Sequence, residues 1–159
     1  MAENAYSVPG VEYITISKMC EKWLWKKYRK KTRYSPYGID LNEFNQHRRE
    51  FSKKKIRILV EGDSSSFYKN VDESFKIIEK LDKNKFEIWY LSYNGKPKDW
   101  YKIDKIINKL PHDKVNKIYA ECDILLKSSW LESFSYPPLE MMATGGYCIV
   151  VPNEGNKDI

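Results

Sequence analysis

The apolar positions of this chain fall into short blocks of two periods, and the two kinds of block alternate along it. Val11-Glu-Tyr-Ile-Thr-Ile-Ser17 alternates and is rich in β-branched residues, which predicts a short strand. Lys18 to Lys30 sets Met19, Trp23 and Leu24 on one helical face among lysines and predicts a basic helix. Pro36 and Gly38 break the pattern into a connector. Asn42 to Lys55 is polar, weakly helical and closed by Lys53, Lys54 and Lys55. Lys55-Ile-Arg-Ile-Leu-Val-Glu61 predicts a strand ending at Gly62. Asn70-x-x-Glu73 has the form of a capping box, with Val71, Phe75, Ile78 and Leu81 following at helical spacing. Lys85 to Leu91 predicts a second strand, stopped by Asn94-Gly95. Ile103 to Leu110 fits strand or helix, a short strand being favoured. Val115 to Cys122 predicts a short helix and Ile124 to Lys127 a strand. Pro137-Pro138 can open a helix that Gly145-Gly146 can close. Cys148 to Val151 is the last strand, closed by Pro152.

Short apolar strands alternating with single helices predict an α/β fold, a doubly wound parallel sheet of Rossmann-like type. The chain divides into residues 1–50, a strand, basic helix and connector, and residues 51–159, the sheet domain. Ligands in such sheets sit beyond the carboxyl ends of the strands, where the strand order reverses. The loops that matter are therefore 62–69, 92–100, 128–137 and 152–159. No internal repeat is present.

Composition narrows the class. With 159 residues, 42% apolar and 31% charged, the chain supports one ordinary core and excludes a disordered or collagenous polymer. No apolar run approaches the roughly 20 residues of a membrane span, and the first residues lack the order of a signal peptide. Cys20, Cys122 and Cys148 are far apart, which excludes a disulfide framework and a Cys-rich zinc site. Cys122 and Cys148, with apolar neighbours, predict core thiols. A reduced, cytoplasmic setting is expected.

Charge is segregated. Ser17–Arg33 holds eight basic residues against one acid, Glu21, whereas the rest of the chain holds 20 basic and 21 acidic residues. With Trp23, Trp25 and Tyr28 among its lysines, this stretch suits an anionic membrane surface, a polyanion, or a face covered by another domain. His47 and His112 lack partners at ligand spacing and predict surface residues. Ser64, Ser65 and Ser66 lack the context of a nucleophile.

The densest chemistry lies in Glu132-Ser-Phe-Ser-Tyr-Pro-Pro-Leu-Glu140. Two carboxylates eight positions apart flank a predicted helix start, so both can face one crevice. A carboxylate accepts from a vicinal diol, and helix N-terminal N–H groups suit a diphosphate. On spacing alone, solvated acids or a glutamate answering the helix dipole serve equally well.

Together with Met-Met-Ala-Thr-Gly-Gly and Tyr-Cys-Ile-Val-Val-Pro-Asn-Glu-Gly155, that segment closely resembles the E-x7-E region of retaining, metal-independent nucleotide-sugar glycosyltransferases of the GT-B fold. Val115 to Leu126 resembles the helix and strand before that motif, and Gly62-Asp-Ser-Ser-Ser-Phe-Tyr-Lys69-Asn the first turn of the donor domain. Ile14-Thr-Ile-Ser-Lys-Met-Cys with Tyr37-Gly-Ile-Asp-Leu-Asn-Glu-Phe44 resembles the junction between the two GT-B domains. The resemblance covers Val11 to Ile159.

It implies that Glu140 binds the donor ribose and that Glu132 contacts the transferred sugar and stabilises charge at its anomeric carbon. Phe134, Ser135 and Tyr136 would cradle sugar and phosphates through their backbone, and Lys69 would meet the leaving diphosphate. Gly62 would form the turn, Asn94 would lie near the base, and Gly155 would fall in the loop over the sugar. The sequence departs from the pattern twice. Asp63 and three serines stand where an arginine usually partners the lysine, leaving Lys127 as an unplaced alternative. Ser133 and Ser135 stand where glycines are common.

The resemblance further implies a nucleoside diphosphate sugar donor, UDP favoured over GDP, with no cofactor and no metal. The acceptor would be a glycan or lipid-linked molecule, as in polysaccharide biosynthesis, held by an N-terminal domain absent before Val11. Closing helices would be absent after Ile159, leaving a face suited to a homodimer and a chain with little transfer activity alone. The alternative from another class is a non-catalytic anion- or membrane-surface-binding module built on residues 17–33, placed at the inner membrane face, with no nucleic acid partner.

Overall fold

The computed structural model describes Tyr6, residues 8–45 and residues 54–157. Seven strands and four α-helices are seen among them: β1 (Tyr13–Thr15), α1 (Lys18–Tyr28), β2 (Thr32–Tyr34), β3 (Ile56–Glu61), α2 (Val71–Ile78), β4 (Phe86–Ser92), β5 (Lys105–Asn108), α3 (Val115–Glu121), β6 (Ile124–Lys127), α4 (Tyr136–Ala143) and β7 (Tyr147–Val150). Five strands form one parallel sheet in the order β5-β4-β3-β6-β7. The chain runs outward from β3 to β5, then returns and runs outward through β6 and β7. The order reverses between β3 and β6, and the carboxyl ends of those strands open a crevice there.

Strand alternation sorts the core into two layers. Leu59, Trp89, Leu91, Ile107 and Leu125 face the layer made by Val115, Ile118 and Tyr119 of α3 and Met141 of α4. Ile58, Val60, Ile88, Tyr90 and Leu126 face Val71, Phe75 and Ile78 of α2. Fully burying such an aliphatic or aromatic side chain contributes about 1.5–3 kcal/mol. The β4-to-β5 crossover carries no helix, contrary to simple alternation. Tyr101 fills that place instead, stacked on Phe75 at 3.9 Å between ring centroids, and Asp104 accepts from the Ile88 N–H at 2.7 Å.

Three local expectations change. Thr32–Tyr34 is a strand, pairing in parallel with β1 across α1, although three residues are too few to show periodicity. Asn70 precedes α2 but lies in the left-handed region (φ 48°), and its side chain donates to the Ser128 carbonyl at 3.2 Å rather than capping the helix. On α1 only Leu24 is buried; Trp23 stays half exposed against the rings of Tyr6 and Tyr28. The Ser17 hydroxyl caps α1 by accepting from the Cys20 N–H. His47 and the domain boundary at residue 50 lie outside the described residues. No helix among the described residues is long and apolar enough to cross a membrane.

Candidate active site

Gly62 turns the chain out of β3 at φ 145°, and an added Cβ would sit 3.1 Å from Val71 Cγ2. The Tyr90 hydroxyl donates to the Gly62 carbonyl at 2.9 Å and itself accepts from the Ser64 N–H at 3.2 Å, so β4 anchors the loop. Gly95 packs against this loop so closely that a Cβ would lie 2.4 Å from Ser64 N. The loop ends in a single 3₁₀ turn, Phe67–Lys69, which delivers Lys69 to the crevice.

The loop after β6 faces it across the strand reversal. The Trp130 N–H donates to the Tyr68 carbonyl at 2.9 Å, and the Ser128 hydroxyl donates to the Asn70 carbonyl at 2.6 Å. Behind it, Asn153 donates to the Ser129 carbonyl at 2.9 Å and the Ser135 N–H donates to the Gly155 carbonyl at 3.3 Å. Gly155 itself lies against the Glu132 backbone, where a Cβ would be 2.0 Å from the Glu132 oxygen. The expected covering loop thus supports Glu132 from behind. Both faces of the crevice are fixed by hydrogen bonds before any ligand arrives.

Between them runs an alternating chain of charge. Lys69 Nζ reaches both oxygens of Glu132, at 2.9 and 3.0 Å. Lys127 Nζ lies 3.2 Å from Glu132 Oε1 and is also bonded to Glu61. Burial pushes the Glu132 carboxyl up, but Lys127 and then Lys69 outweigh it and hold the group below its ordinary value. Burial likewise works against the Lys127 ammonium, and Glu61 and Glu132 overcome it, so its pKa is raised and the lysine stays charged.

Glu140 is buried on α4, just past its first turn, at the wall of a cavity of about 230 Å³ lined by Glu61, Leu91, Tyr93, His112, Val115, Tyr119, Tyr136 and Pro137. Burial pushes its pKa up, a hydrogen bond from Tyr119 and the nearby His112 offset this in part, and Glu61 adds to it. His112 Nε2 lies 3.5 Å from Glu140 Oε1; the histidine is exposed, as expected, but it belongs to the site. Ser135 occupies the N-cap of α4 without capping it, and its buried hydroxyl has no partner. Of the backbone positions at this helix start, Pro137 and Pro138 carry no N–H and the Ser135 N–H is taken by Gly155, which leaves the Tyr136 N–H as the donor between the two glutamates.

The structure pairs Lys69 with Glu132, sets Gly155 behind Glu132 and Gly62 at the turn out of β3, and places Tyr136 and Glu140 on the cavity lined by Glu61, which Lys127 links to Glu132; Ser135 stands at the start of α4. Phe134 and Tyr136 pack on each other and on Tyr37 of the connector, at 5.3 to 5.9 Å between centroids. Asn94 is exposed, and its neighbour Tyr93 lines the cavity. Sequence reasoning missed Glu61, although an acid ending the first strand of a doubly wound sheet was a usable signal. Lys127 now has its place, paired inside the protein. A larger cavity of about 380 Å³ lies elsewhere, between Ile78, Leu81 and Phe86; its two carboxylates, Asp82 and Asp104, accept from the backbone N–H groups of Asn84 and Ile88.

No protein-family model and no curated protein matches the sequence. Solved structures do. WaaG, a glycosyltransferase involved in lipopolysaccharide biosynthesis, superimposes with a TM-score of 0.75 at 16% identity, over 94% of this chain and 47% of that one. Sucrose-phosphate synthase from Thermosynechococcus elongatus superimposes with a TM-score of 0.71 at 15% identity, over 91% of this chain and 41% of that one. The chain spans less than half the length of either. Strand order, helix placement and these superpositions agree that the chain has the doubly wound, Rossmann-like fold expected from its resemblance to the GT-B enzymes.

Proposed function

We propose that this chain is the donor-binding part of a retaining glycosyltransferase, which moves a hexose or related sugar from a nucleoside diphosphate sugar to a glycan or lipid-linked acceptor. The observation that carries this is the pair Glu132 and Glu140 flanking the open N-terminus of α4 at the strand reversal, with Lys69 facing them. The cavity beside Glu140 offers apolar walls for a base, UDP favoured, and one carboxylate for ribose hydroxyls. Lys69 and the Tyr136 N–H at the start of α4 would meet the charge that develops on the departing diphosphate, without a metal. Glu132, kept anionic, would stabilise positive charge at the anomeric carbon. The acceptor site would lie in a second domain, which is why the chain alone is expected to bind donor but transfer poorly.

Metal-free calorimetric titration with UDP, GDP and their sugar conjugates tests this, on the wild type and Glu140→Ala. Binding of one nucleotide family that the variant loses supports the donor site and names the base. No binding of any of them refutes a competent donor site in this chain.

A second reading rests on α1. At roughly 100° per residue, Lys18, Lys22 and Lys26 form one row, with Trp25 and Trp23 on either side and Leu24 opposite. Both tryptophans are about half exposed. We propose that this row docks the protein peripherally on an anionic membrane, at the inner face if the protein is cytoplasmic. Sedimentation with phosphatidylglycerol vesicles, but not phosphatidylcholine vesicles, is expected, and is lost in Lys22→Glu/Lys26→Glu. Equal binding to both lipids, or binding to nucleic acid alone, overturns it.

A further inference from the structure

Glu132 has two cationic partners that differ in kind. The Lys69 side chain is 23% exposed and ends a 3₁₀ turn whose first residue, Phe67, is 80% exposed. The Lys127 side chain is 2% exposed, fixed at the end of β6 and bonded to Glu61 at the end of the neighbouring strand β3. Only Lys69 can turn toward a solvent-borne anion without breaking the sheet. Yet Lys69 is committed to Glu132 through both carboxylate oxygens.

Those two facts create a problem for any diphosphate that recruits Lys69. Two acids and two lysines balance in the resting site. Withdrawing Lys69 toward the ligand would leave Glu132, whose side chain is 10% exposed, as a buried and uncompensated charge. Asp63 and serines stand near Gly62 where the family pattern has an arginine, so that loop supplies no substitute cation. Lys127 supplies one from beneath. Its bond to Glu132 Oε1 does not depend on Lys69, and Glu61 keeps the ammonium in place.

We infer that Lys127 is a positioning residue that keeps Glu132 ionised and oriented while Lys69 leaves to meet the donor diphosphate. Glu61 acts with it as the anchor. The inference rests on the donor-site reading above, because that reading gives Lys69 a reason to leave.

The experiment removes Lys69 genetically, which mimics its departure. Glu132 is followed by carboxyl carbon NMR through a pH titration of the intact chain, in the wild type, in Lys69→Ala, and in Lys69→Ala combined with Glu61→Gln/Lys127→Met. The groups facing Glu132 are Lys69, Lys127 and, behind Lys127, Glu61. In the wild type and in Lys69→Ala, Glu132 is expected to titrate below the ordinary glutamate value of about 4.3; in the triple variant it rises to that value or above. Glu61→Gln/Lys127→Met exchanges a buried pair as a unit and leaves Lys69 intact. It should weaken UDP-sugar binding at least about tenfold at neutral pH, the scale of one charged hydrogen bond. A Glu132 that returns to the ordinary value in Lys69→Ala alone overturns the inference, and this needs only that single variant. Absence of nucleotide binding by the wild type overturns the donor reading instead, while the titration still decides what Lys127 does to Glu132.

Discussion

Replacing Glu140 by glutamine should make the protein more stable and less able to bind a nucleotide at once. The residue is 4% exposed, and burial holds its carboxyl above its ordinary value despite the Tyr119 and His112 contacts. A carboxyl with a folded-state pKa above its unfolded one costs nothing below the unfolded value, near 4. The cost accrues as pH rises through the folded value and stays constant beyond it. Glutamine keeps an acceptor for Tyr119 and removes the charge. The gain at pH 7 should be about 1 kcal/mol, typical of relieving a functional site, or about 2–4 °C in Tm for a domain of this size. Losing a charged acceptor for ribose hydroxyls costs about 1.5–3 kcal/mol of binding, so affinity should fall about 10- to 150-fold. Thermal melts of both proteins from pH 3.5 to 8, beside calorimetry with the bound nucleotide, decide it. A variant less stable than the wild type at pH 7, or a stability difference that does not vanish near pH 4, refutes the assignment of Glu140 as a strained, charge-bearing site residue.

Gly155→Ala should cost about 1–3 kcal/mol in a denaturant titration, because its Cβ would press into the Glu132 backbone, and it should weaken nucleotide binding. Gly38→Ala, with nothing within 4 Å of the new Cβ, should do neither. Asp72, Glu87 and Glu132 are held low: burial opposes this in each, but Lys98 and Tyr101, Arg57 and Trp89, and Lys127 and Lys69 respectively prevail. Their stabilisation is present above pH about 4 and is lost as pH falls through the lowered values, so Tm should drop steeply below that pH. Leu59→Ala, at a position with no exposure between the sheet and α3, should cost about 2–5 kcal/mol in the same titration.

Much of this was legible in the chain. The strands announced themselves because buried parallel strands are compact apolar runs, and Gly62 and Gly145 marked true turns. The two glutamates were found by spacing and by resemblance, and the sheet brings them to one crevice. What escaped was tertiary in origin. Nothing near Asn70 says that its amide will be drawn to Ser128, 58 residues away. Lys127 reads as a lysine ending a strand, and only the neighbouring strand's Glu61 explains how it can be buried. His112 lacks partners in sequence, yet a 3₁₀ turn before α3 sets it beside Glu140. Burial also pushes the Cys148 thiol up to about 11, in keeping with a structural thiol.

The strand reversal has a consequence for how the site is made. β3 pairs with β4 along its whole length, from Ile56 to Glu61, but with β6 only from Ile58 to Val60. The first pairing closes about 30 residues of chain and the second 66, so the β3–β5 half is the cheaper to assemble and the β6–β7 half joins it afterwards. Lys69 belongs to the early half, and Glu132 and Glu140 to the late one. The crevice is thus the last boundary to close and the first to reopen, and a molecule that bridges it acts as a clasp. Amide exchange should be fastest along β6 and β7 in the free protein and should slow most there when nucleotide is bound.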